Sequence, residues 1–100
     1  MPAYLRRDIV DSLLRQLKEV LEALKSSGLP SEAVYENLRD LASGVFEVAS
    51  VSGLSFEDAA RAVIDALGRE DAGKLVDVEA VEKAYGRSKA EEWARLVSSA

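Results

Sequence analysis

Glu19 and Glu22 stand three residues apart, and Glu36 and Asp40 four apart. On helices, such spacing puts both members of a pair on one face. Facing pairs from two helices could then share a magnesium ion through oxygen ligands alone. A second stretch, GREDAGKL at residues 68–75, fits Gly-x-x-x-x-Gly-Lys, the opening of a phosphate-binding loop. Each possibility depends on the elements that must position it.

A phosphate-binding loop follows a strand, opens a helix, and places Ser or Thr after its lysine to hold a metal. Here a helical pattern ending at Leu67 precedes the loop, and Leu75 occupies the metal-ligand position. Glu70 and Asp71 would set two negative charges where the anion should sit. We read Gly68 as a helix-ending glycine followed by a solvated turn. The carboxylate pairs resemble the Glu clusters of all-helical nucleoside triphosphate pyrophosphohydrolases. However, Glu19 and Glu22 lie opposite the apolar stripe of their helix, with Arg15 four residues before Glu19 and Lys25 three after Glu22. That is the pattern of a solvated, charge-paired face.

IVDSLLRQL at 9–17 is similar to the Asp-Ser-Leu triplet of acyl carrier proteins, whose serine carries phosphopantetheine at the start of a helix. The apolar period runs straight through this triplet, so Ser12 reads as a mid-helix surface position. GLSFEDAARAVIDALG resembles the opening of a helix-turn-helix, which needs a turn about four residues after its central small residue. Val63 and Ile64 stand there instead, and the helical pattern continues to Gly68.

The elements are helices. Ile9, Val10, Leu13, Leu14, Leu17, Val20, Leu21 and Leu24 mark one face of a first helix over 3–27. Their arc is roughly 140° wide, more than one neighbour covers. Arg6 projects from its middle. Gly28 and Pro30 end this helix, and Ser31 is the expected cap of a second, over 31–52. Val34, Leu38, Leu41, Val45 and Val48 alternate by four and three, the rhythm of an antiparallel helical hairpin. Ala42, Ser43, Gly44 and Ala49 would allow close helix approach, although Gly44 is a place where the helix could break. Shorter helices are expected over 55–67, 77–85 and 88–98. Ser55 with Asp58, Asp77, and Ser88 with Glu91 are their start signals, and Gly68 and Gly86 end two of them. Only LVDV at 75–78 could be a strand, and one strand makes no sheet.

Composition narrows the chemistry. The 100 residues include no cysteine and no histidine. Thiolate chemistry, disulfides and zinc fingers are excluded, along with the commonest neutral-pH base and transition-metal ligand. The net charge is −5, the opposite of a nucleic-acid binder's usual surplus. No apolar run approaches the ~20 residues of a membrane span. Scarce amides, Gln16 and Asn37 alone, suit a thermophile composition.

These observations predict an all-α fold of four to five helices in a single domain over 1–100. A long N-terminal hairpin would pack against the shorter C-terminal helices. They predict a cytoplasmic, non-enzymatic interaction module or accessory subunit with no cofactor and no metal. It would bind a protein partner or self-associate through the hairpin. The candidate interface residues are Tyr4, Val10, Leu14, Leu21, Tyr35, Phe46 and Trp93. Two alternatives remain: a nucleic-acid-associated factor using Arg6, Arg7, Arg87 and Lys89, and a magnesium-dependent nucleotide hydrolase using Glu and Asp only.

Overall fold

Most helices of this chain stop where the apolar period meets a glycine. The computed structural model describes residues 3–98, with side chains from residue 7 onward. Within them lie six helices: α1 (Ala3–Ser26), α2 (Ser31–Val51), α3 (Phe56–Leu67), α4 (Arg69–Leu75), α5 (Val78–Tyr85) and α6 (Arg87–Ser98). No described residue is in a strand, so LVDV at 75–78 is no strand. Gly68 and Gly86 adopt positive φ at the ends of α3 and α5, a backbone region that L-side chains avoid. The Ser55 hydroxyl accepts from the Asp58 N–H at 3.1 Å, capping α3 as the sequence indicates.

Three expectations need correction. The helix count is six rather than four to five, because residues 69–75 form α4 instead of a solvated turn. The start of α2 is set by Pro30, with no side-chain cap from Ser31. Ser88 lies inside α6, which begins one residue earlier at Arg87. Gly44 does not break α2.

A seven-residue helix is far too short to be stable alone, so tertiary contacts must hold α4. Ala72 and Leu75 point inward and are fully buried. At its start, Asp71 accepts two hydrogen bonds: Tyr35 Oη donates to Oδ1 at 2.8 Å, and Lys25 Nζ to Oδ2 at 2.8 Å. The carboxylate thus ties α4 to the end of α1 and the start of α2. At the other end, Arg39 Nε donates to the Lys74 carbonyl at 3.3 Å, and Lys74 Nζ lies 5.5 Å from the Tyr35 ring centre. On the far side, a Cβ on Gly73 would come within 3.0 Å of Val97, so glycine lets α4 and α6 approach closely.

The core has one aromatic centre. Phe46 of α2 meets Trp93 of α6 edge-on at 5.0 Å, Tyr85 of α5 at 6.3 Å and Phe56 of α3 at 6.4 Å. Its polar tips are satisfied by backbone. Trp93 Nε1 donates to the Val76 carbonyl at 3.3 Å, and Tyr85 Oη to the Leu54 carbonyl at 2.9 Å. Burial pushes the Tyr85 phenol up to about 12, with a smaller push from the Glu57 charge. No described polar or charged residue is buried. No described helix is long and apolar enough to cross a membrane.

Candidate functional site

Most of the sequence-derived interface residues belong to the core. Val10, Leu14, Leu21, Phe46 and Trp93 are essentially without exposed surface, and Tyr35 is buried apart from its hydroxyl contact with Asp71. They hold the fold together and present nothing to a partner. The Tyr4 and Arg6 side chains lie outside the described residues. What remains on the surface is the other half of the same apolar stripes. Ile9 is 39% exposed, Val20 42% and Leu41 61%. The wide arc of α1 is therefore covered only in part.

Val20 and Leu41 converge. Between α1 and α2 runs an open groove of about 330 Å³. Leu13, Gln16, Leu17 and Val20 line it from α1, and Asp40, Leu41, Gly44, Val45 and Val48 from α2. Asp40 is its one formally charged lining residue. A second groove, between α2 and α5, shares Asp40 and Gly44 and adds Val51, which is 81% exposed. The middle of α2 is thus a ridge flanked by depressions, with Gly44 opening onto both.

Gly44 is the informative residue. It lies within a continuous helix, where glycine is destabilising by ~1 kcal/mol relative to alanine. Gly73 has an internal reason to be glycine in Val97. At Gly44 a Cβ would meet nothing within 4 Å, and φ is not positive. Gly44→Ala is therefore expected to raise the stability of dilute protein by ~1 kcal/mol. Its Tm should rise by roughly 4–8 °C in a thermal melt. A lowered Tm would show that Gly44 serves packing within the chain. The sequence did signal this residue, as one of four small residues that would allow close helix approach.

The other candidate chemistries do not assemble. Among the described residues, no three Asp or Glu side chains converge as a metal-holding group. Glu19, Glu36 and Asp40 are exposed. Glu22 pairs with Lys18 at 3.2 Å, not with Lys25, which is committed to Asp71. Ser12 lies mid-helix in α1. Of the basic residues considered for nucleic acid, Arg7 pairs with Asp11 at 3.0 Å. Lys89 contacts Glu57 at 2.7 Å and Glu92 at 3.8 Å. The hydrogen bond from Lys89 holds the Glu57 carboxyl below its usual range, and the bond to Glu57 raises Lys89 in turn.

Comparison with protein-family models, with curated proteins and with solved structures finds no match to this chain. The structure itself defines the class, an all-helical fold, and carries an open apolar groove between α1 and α2.

Proposed function

We propose that this chain is a non-enzymatic protein–protein contact module, working in the cytoplasm, whose docking face is the outer groove of the α1–α2 hairpin. The observation that carries this reading is the pairing of an exposed apolar knob, Leu41, with an unfilled position, Gly44, one turn away on the same helix. Apolar residues scattered singly on a surface need no explanation. A run of them beside a helical glycine that nothing inside the protomer requires is different, because it suits the close approach of another helix. The mostly apolar lining of the groove favours the apolar face of an amphipathic helix over a charged ligand.

The test is capture on immobilised protein with three baits: wild type, Leu41→Asp, and Leu96→Asp. Leu96 lies on α6, away from the groove, and is 37% exposed. A partner chain held through this face should be retained by wild type and Leu96→Asp. Leu41→Asp should weaken retention by at least about tenfold, since a central apolar anchor is worth roughly 2 kcal/mol. Equal retention by all three baits would overturn the reading.

A further inference from the structure

We propose that α4 is a latch: with the link that follows it, α4 opens as one unit while the other five helices stay folded, and the Asp71 carboxylate holds that unit shut.

The backbone sets the segment apart. α4 has seven residues with Gly73 among them, so it has almost no helical stability of its own. Gly68, with φ 87° and ψ 153°, separates it from α3. Val76 and Asp77 are extended and separate it from α5. Neither neighbouring helix has to unwind when α4 leaves.

The rest of the molecule closes without it. The most extensive helix–helix packings join α5 to α6, α1 to α2, α2 to α5 and α1 to α3, and these already connect every other helix. The aromatic centre of Phe46, Phe56, Tyr85 and Trp93 takes no side chain from α4.

The fastenings of α4 are ones that water can replace. Asp71 accepts from Lys25 and Tyr35, and Lys25 is half-exposed. The bond from Arg39 to the Lys74 carbonyl is exposed as well. No described charged residue is buried, so opening strands no charge away from water. Against opening stands the exposure of Ala72, Leu75 and Val76, which keeps the closed form dominant. Global unfolding exposes those residues and the remaining core besides. Local opening therefore lies between the closed form and the unfolded chain in free energy. It uncovers an apolar recess. The Tyr35 ring loses Lys74, Trp93 loses the Val76 carbonyl, and Val97 loses Gly73.

Amide hydrogen exchange of the full chain at neutral pH, read residue by residue by NMR, tests the proposal. The reporters are the Ala72 N–H, bonded to the Gly68 carbonyl, and the Val76 N–H, bonded to the Ala72 carbonyl. Asp71→Ala removes a tie that only the closed form has, so both reporters should exchange at least about tenfold faster. Val10→Ala weakens packing that the open form retains, because Val10 is buried on α1 roughly 22 Å along the helix from Lys25. It should accelerate the slowest amides of α1 and α2 at least about tenfold, yet leave both reporters within about twofold of wild type. In wild type, urea below the unfolding transition should accelerate the reporters less steeply than those slowest amides, since less surface is exposed. Equal urea slopes overturn the proposal, as does equal acceleration by Val10→Ala, because α4 would then open only when the whole chain does. Unchanged reporter rates in Asp71→Ala overturn the holding role of the carboxylate.

Discussion

Trp93→Ala is expected to lower the free energy of unfolding by about 3–5 kcal/mol, the largest effect of any single truncation proposed for this chain. The indole is fully buried, packs edge-on against Phe46 at 5.0 Å, and donates to the Val76 carbonyl at 3.3 Å. Truncation would leave a cavity where α2 and α6 meet. It would also strip the partner from a carbonyl in the extended link between α4 and α5. Domains of this size have only about 5–15 kcal/mol in total, so the variant should be close to unfolding at ordinary temperature. Urea titration followed by far-UV circular dichroism measures the loss. Trp93→Phe separates the two contributions, because it keeps an aromatic edge against Phe46 and removes only the N–H and part of the volume. A loss below about 1 kcal/mol for Trp93→Ala would mean that the aromatic centre is not what fastens α6 to α2.

Asp71→Ala is expected to destabilise by about 2 kcal/mol. Charge-assisted hydrogen bonds contribute more than neutral ones, and this carboxylate accepts two while only 14% exposed. The Lys25 partner is 45% exposed, so solvent screening reduces its share. The larger part comes from Tyr35, whose hydroxyl would lose its partner in a buried setting. Asp71→Asn should cost less, since an amide oxygen can still accept from Tyr35.

The same site makes stability depend on pH. Burial works against ionisation of Asp71, but the hydrogen bonds from Lys25 and Tyr35 outweigh it and hold the carboxyl below its usual value of 3.8. The unfolded chain therefore binds the proton more readily than the folded one. The contribution is fully present above the unfolded pKa and is lost as pH falls through the folded pKa. Wild type should lose stability below about pH 4 more steeply than Asp71→Ala. The bond to Asp71 raises Lys25, and the bond to Asp71 together with burial raises Tyr35. Both contributions run the other way: present below the unfolded values, and lost as pH rises through the folded ones. Parallel acid-unfolding curves for wild type and Asp71→Ala would show that the carboxylate is not held by the fold.

The groove was half legible before the structure. The stripe of α1 reads as wider than one neighbour covers, and in the structure its edges at Ile9 and Val20 stay partly exposed. The candidate interface was nevertheless drawn from the middle of the stripes, at Val10, Leu14 and Leu21, which are core. Periodicity measures how far a residue points toward a face, and the most central residues are the first to be covered. Leu41 and Val45 share one stripe at i,i+4, yet Leu41 is 61% exposed and Val45 buried. What separates them is only which neighbouring side chains cover each one in the folded chain.

By itself the sequence determined the helical class, five of the six helices to within a residue or two, and the poverty of catalytic groups. These are local properties: a 3.6-residue period, glycines and prolines that end helices, and the absence of histidine and cysteine. Only the tertiary structure decided that GREDAGKL is helical, because α4 forms through Asp71 reaching Lys25 and Tyr35, residues 46 and 36 positions away. It alone decided that Gly73 is filled from outside by Val97 while Gly44 stands open. Two glycines inside helices look alike along the chain, and they differ only in what the folded molecule places above them.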